Sequence, residues 1–201
     1  MKFSMRVLLL LGSLGLAACL PAHADNLLTN GDFETGDLTG WTVIGGPTFA
    51  SLANYGYNPY SGSYFAALGD VGYIGTLSQT FTDTPGQTYD LTFYLASNGT
   101  APNEFQAIID GTTDFDQVDI PATGASAPYP YDAYSILFTG TGSDTVTFGE
   151  RDDPNYLALD DVSVSTVAGG TSVTPEPSSL MLLGTGALGV LGTMRRRIFA
   201  Q

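Results

Sequence analysis

Two short stretches carry the aromatic rings best placed to meet a ligand. NYGYNPYSGSY (54–64) holds Tyr55, Tyr57, Tyr60 and Tyr64, and APYPYDAY (127–134) holds Tyr129, Tyr131 and Tyr134. A tyrosine ring offers a flat apolar face with a hydroxyl at its rim, which suits stacking on the apolar face of a sugar. Tyr57, Tyr60, Tyr129 and Tyr131 lie among Pro and Gly in loop-like sequence, where binding residues tend to sit on a rigid scaffold. Tyr64 and Tyr134 fall inside strand patterns and are expected in the core, as is Trp41.

The remaining reactive chemistry is sparse. His23 and Cys19 are the chain's one histidine and one cysteine, and both lie near the N-terminus. A Ser-His-Asp or Cys-His set is therefore excluded from the body, and a zinc, iron or copper site lacks its usual ligands. Paired carboxylates formally allow a glycosidase, with Glu150 or Asp153 as the residues to replace, but the acids read as surface-placed or calcium-related and no enzyme is expected. In ERDDPNY (150–156) the lone Arg151 sits among Glu150, Asp152 and Asp153, and an ordinary loop ion pair is the simpler reading over an anion contact.

Charge narrows the partners further. Nineteen of the twenty acidic residues lie in 25–174, all but Glu176, against the single basic Arg151, a formal charge of −18. Such a surface repels nucleic acid and anionic lipid. Ca²⁺ is its natural counter-ion, being a hard cation held by carboxylate and carbonyl oxygens. For most of these acids, simple solubility through net charge suffices.

The elements that must position these groups read as β throughout. YDLTFYLA (89–96) alternates Tyr89, Leu91, Phe93 and Leu95 against Asp90, Thr92 and Tyr94, the period of a half-buried strand. AYSILF (133–138), TVTF (145–148) and LALDDVSVS (157–165) continue the pattern, and residues 40–45, 63–68, 75–81 and 105–110 add candidates. Turn signals separate them, among them Asn30-Gly31, Pro85-Gly86, Asn98-Gly99 and Asp110-Gly111. Eight or nine short strands predict an all-β, two-sheet sandwich or jelly roll over 25–166, followed by a flexible linker at 167–174.

NLLTNGDFETGDLTGW (26–41) and LALDDVSVS resemble the opening and closing strands of galactose-binding-like jelly rolls, which include several carbohydrate-binding modules. The matching residues are Asn26, Asn30, Gly31, Phe33, Glu34, Gly36, Gly40 and Trp41, then Leu159, Asp160, Asp161 and Val162. Residues 61–69, 77–96 and 151–164 resemble the same domain. The resemblance implies a structural Ca²⁺ where the two ends meet, held by Glu34 and one of Asp160 or Asp161, with carbonyls around Asp32 completing the shell.

The chain's two ends form a separate layer of information. Lys2 and Arg6, an apolar run from Val7 to Ala18, Pro21 and Ala22-His23-Ala24 have the layout of a secretory signal peptide (1–24) with cleavage after Ala24. LAAC (16–19) offers a rival lipoprotein route at Cys19. At the other end, Pro175-Glu176-Pro177, a short apolar helix from Leu180 to Met194 and Arg195-Arg196-Arg197 resemble the PEP-CTERM sorting signal (175–201). Fifteen residues span roughly 22 Å as a helix, short of a ~30 Å hydrocarbon core, and the arginines place the C-terminus in the cytoplasm.

That second resemblance implies export across the inner membrane of a Gram-negative bacterium with transient insertion there. Signal peptidase and exosortase would process the chain, which would then reach the cell surface or an exopolysaccharide-rich matrix. The sequence expectation is thus an exopolysaccharide-associated, carbohydrate-binding surface protein. A structural or adhesive matrix protein without a small-ligand site is the rival.

Overall fold

The computed structural model describes residues 25–46 and 48–167. Ala24, Cys19, the Pro175-Glu176-Pro177 knot and Arg195 to Arg197 lie outside the described residues, as does nearly all of the linker. Among the described residues no helix is long and apolar enough to cross a membrane.

Ten strands follow in chain order: β1 (Thr42–Ile44), β2 (Phe49–Ser51), β3 (Phe65–Leu68), β4 (Gly75–Thr82), β5 (Thr88–Ala96), β6 (Asn103–Ile109), β7 (Thr112–Val118), β8 (Asp132–Thr139), β9 (Ser143–Asp152) and β10 (Leu157–Thr166). They form two five-stranded sheets, ordered β1-β4-β9-β6-β7 and β2-β3-β10-β5-β8, with every pairing antiparallel. The all-β two-sheet sandwich expected from the alternation is the fold observed.

Alternation explains which residues meet between the sheets. Leu77, Phe81, Phe105, Ala107, Val146 and Phe148 face inward from one sheet, and Leu68, Leu91, Phe93, Leu95, Leu159 and Val164 from the other. Trp41 is buried among them, against Phe33 and Phe148. Tyr64 and Tyr134 pack on this core as half-buried rings. Two strands escaped the sequence reading: β2 has only three residues, and β7 is an edge strand whose Asp114 and Asp116 break the apolar alternation.

One irregularity shapes the site. Strand β10 pairs with β5 in a register that shifts between Asp160 and Ser163. Asp161 takes a positive φ of 46° there, as an extra residue in a β-bulge does. Leu159 and Val162 thereby both keep to the core while the intervening two acids turn to the sheet's other face, Asp160 beneath residues 60–61. Strand β3 accompanies β10 only at Leu157–Leu159. Beyond it the N-terminal segment takes over, with Leu27 N donating to Val164 O at 2.9 Å and Val162 N to Gly31 O at 2.8 Å. Gly31 is required by this approach, because a Cβ there would overlap the Val162 carbonyl oxygen.

Both described ends therefore lie on β10, at the pole where Val167 N donates to Thr88 O. The links after β1, β3, β5, β7 and β9 gather at the opposite pole.

Candidate functional site

The outer face of the β2-β3-β10-β5-β8 sheet is roofed by the loops 52–64 and 127–131. Small outward residues, Ala67, Ala96 and Ala158, leave a hollow that Tyr57 fills beside Phe65. Tyr57 is only 2% exposed, and its hydroxyl donates to Tyr156 O at 2.8 Å. The expectation that Tyr57 stands out as a binding ring is thus corrected: it anchors the roof, because three alanines in neighbouring strands give its ring somewhere to go. Burial also pushes its hydroxyl pKa upward.

Tyr60 stays accessible. It is 46% exposed and lies flat on Tyr94 of β5, ring centroids 3.7 Å apart and planes 17° apart. Its backbone N–H donates to Asp160 Oδ2 at 2.7 Å, so the ring is pinned to β10 through the chain. Tyr131 meets Tyr60 edge-on at 5.8 Å, and Tyr129 packs against Tyr57 at 5.9 Å. Both are half-buried. The four tyrosines do share one neighbourhood, but Tyr60 presents most of the accessible ring.

Clefts open on either side of the Tyr60–Tyr94 stack. One, of about 530 Å³, is lined by Asn26, Asn30, Asp32, Tyr94, Asp161 and Ser163 among others. The other, of about 330 Å³, lies between Asn58, Pro59, Tyr60, Pro128, Tyr129 and Tyr131. Sequence reasoning missed Tyr94 because it sat in a strand. Its outward place in the alternation was the available signal, since an aromatic ring on the polar side of a half-buried strand needs a partner or a ligand.

Around the same loop the acids singled out from the sequence converge. Glu34 Oε1 accepts the N–H groups of Ser63 and Tyr64, each at 2.7 Å. Asp160 is fully buried and also accepts its neighbour's N–H, Asp161 N to Oδ1 at 2.7 Å. Burial pushes the Asp160 carboxyl up to about 7 despite these donors. Asp161 Oδ1 accepts the Ser61 hydroxyl at 2.8 Å, and Asp32 Oδ1 the Glu34 N–H at 3.4 Å. The segment 60–64 is thus gripped from both ends of the domain. Among the described residues, no three carboxylates gather about one point.

The ERDD run is not a loop. Glu150, Arg151 and Asp152 complete β9, and Arg151 pairs with Asp153. Glu150 and Asp152 point into the molecule and are fully buried, which corrects the expectation that the acids are surface-placed. Strand parity is the reason: they continue the inward row of Val146 and Phe148.

Residues 37–165 match the model of a family described as protein of unknown function (DUF642). The chain belongs to this family. Residues 173–197 match the PEP-CTERM protein-sorting motif, on the segment whose Pro-Glu-Pro and arginines suggested it. No curated protein matches the chain. Among solved structures, a family 61 carbohydrate-binding module in complex with β-1,4-galactotriose superposes with a TM-score of 0.54 at 20% identity, covering 72% of this chain and 100% of that one. The CBM22-1 xylan-binding domain of Paenibacillus barcinonensis Xyn10C gives 0.51 at 19% identity, over 73% of this chain and 97% of that one. The enzymatically active domain of bacteriophage CBA120 tailspike protein 4 gives 0.50 at 18% identity, over 71% of this chain and 21% of that one. For this DUF642 chain the likeness fixes the jelly-roll fold.

Proposed function

We propose that this protein is a non-catalytic carbohydrate-binding module, displayed on the surface or in the matrix of a Gram-negative bacterium after exosortase processing of its PEP-CTERM tail. One observation carries the reading: Tyr60, half exposed and stacked on Tyr94, forms an aromatic ledge between two clefts with polar rims. A sugar laid on the ledge would find Asn30, Asp32, Asp161 and Ser163 on one side and Asn58 on the other for its hydroxyls. Flat stacking with convergent polar groups is the usual composition of such a site. The match to the sorting motif supports the route, and the sandwich fold shared with galactotriose- and xylan-binding domains is consistent with the ligand class. Exopolysaccharide is the proposed ligand, given the sorting route.

A structural Ca²⁺ belongs to the same proposal. Glu34, Asp160 and Asp161 all reach the Tyr60–Tyr64 segment, and with oxygens around Asp32 they are the residues that would hold the ion. It would neutralise like charges and clip the N-terminal segment to β10.

The test is affinity electrophoresis and calorimetry with β-1,4-galactan, xylan and the host's own exopolysaccharide. Binding that is lost in Tyr60→Ala supports the module. Absence of binding to the whole panel overturns it and leaves the adhesive or structural reading.

A further inference from the structure

Away from the tyrosine ledge, the opposite pole holds two buried acids side by side. We infer that Asp70 and Glu150 form a second hard-cation site, suited to Ca²⁺, where the β1–β2 link closes over the ends of β3 and β9.

The geometry is that of a closely bonded, buried corner. Asp70 and Glu150 are both fully buried. Thr48 Oγ1 donates to Glu150 Oε1 at 2.6 Å, Asp70 N donates to Glu150 Oε2 at 3.1 Å, and Gly46 N donates to Asp70 Oδ1. Asp70 Oδ2 is buried and accepts nothing. Three glycines surround it: a Cβ at Gly45, Gly46 or Gly75 would collide with the Asp70 carboxylate. Tyr73, half exposed, brings its hydroxyl to Asp70 from the solvent side. The arrangement brings two carboxylates and the Thr48 and Tyr73 hydroxyls to one buried corner, with an orphaned oxygen at Asp70 Oδ2.

Charge balance points the same way. A third buried acid, Asp152, lies two residues along β9, and neither of its carboxylate oxygens has a partner. Its N–H donates to Asp70 O at 2.9 Å, so it belongs to the same corner. The one cationic side chain in 25–167 is Arg151, and its guanidinium is committed to Asp153. Buried carboxylates without a compensating charge are costly, and the described residues have none left to give.

All-oxygen donors with no imidazole or thiol select a hard ion. Ca²⁺ tolerates irregular sets completed by carbonyls and water, whereas Mg²⁺ demands near-octahedral geometry. With only two carboxylates at the pocket, affinity belongs to the weak class of extracellular modules, on the order of 10⁻⁴–10⁻³ M.

The experiment is calorimetric titration of the exported protein with CaCl₂ near neutral pH. Wild type should bind at this site, and the near-isosteric Glu150→Gln should weaken that event at least tenfold. Glu34→Gln should leave it in place. The inference is overturned if Glu150→Gln binds with unchanged affinity, if Glu34→Gln alone removes all binding, or if wild type takes up no Ca²⁺ at about 10 mM, beyond the weak-module range.

Discussion

Tyr60 and Tyr94 lie face to face at 3.7 Å, one from a long loop and the other near the C-terminal end of β5, and the loop ring is held there by a backbone bond to Asp160. The ledge is therefore pre-formed: the ring loses little freedom when a ligand arrives.

Tyr60→Ala should weaken polysaccharide binding about tenfold, or ~1.4 kcal/mol, while unfolding free energy falls by no more than about 1 kcal/mol, since the ring is half exposed. Tyr94→Ala should weaken binding in the same direction by removing the ring that supports Tyr60. Calorimetry with the best ligand of the panel, paired with urea melts, separates the two effects.

Tyr57 should behave in the opposite way. Tyr57→Phe removes only the hydroxyl bond to Tyr156 and should cost about 1 kcal/mol with affinity unchanged. Tyr57→Ala empties the hollow over Ala67, Ala96 and Ala158 and should cost about 3 kcal/mol. Urea midpoints report the loss. An affinity drop in Tyr57→Phe as large as that of Tyr60→Ala would return Tyr57 to the ligand surface.

Asp152 gives the pH dependence its sign. Burial first, and Asp153 second, raise its carboxyl from 3.8 to about 7. A raised carboxyl leaves stability full below 3.8 and erodes it as the pH rises through about 7. In EDTA, wild type should thus melt lower at pH 8 than at pH 5. Asp152→Asn should flatten that slope and gain about 2 kcal/mol at pH 8. Thermal melts across this range are the check.

Calcium should act at two places with separate signatures. EDTA should lower the melting temperature of wild type, and Glu150→Gln should remove one part of that difference. The part that survives should vanish in Glu34→Ala, the residue gripping Ser63 and Tyr64. A melt indifferent to EDTA removes the calcium reading at Glu34 and Asp160.

Much of this architecture is legible in the sequence. The inward rows of β5 and β8 follow from period-two alternation, and the meeting of residues 26–31 with β10 is what the resemblance of N-G-D-F-E and L-D-D-V to jelly-roll end strands implies. The burial of Tyr57 was not legible, because it depends on Ala67, Ala96 and Ala158 lying side by side across three strands, which pairing decides and local sequence does not. The Asp70–Glu150 corner was hidden for a related reason. ERDDPNY looks like a polar loop until its first three residues are placed on β9 with Val146 and Phe148, and only register puts Gly75 opposite Glu150.

The bond from Tyr60 to Asp160 also determines how load would travel. The ledge is pinned to β10, and the same strand runs on to Val167, from which the C-terminal segment continues. Tension between a held polymer and a fixed C-terminus would pass along one central strand, flanked by β5 on one side and by β3 and residues 27–31 on the other. It would shear those ladders lengthwise and would not prise the two sheets apart, so under the proposed function the domain would serve as a mechanical link as well as a binding surface.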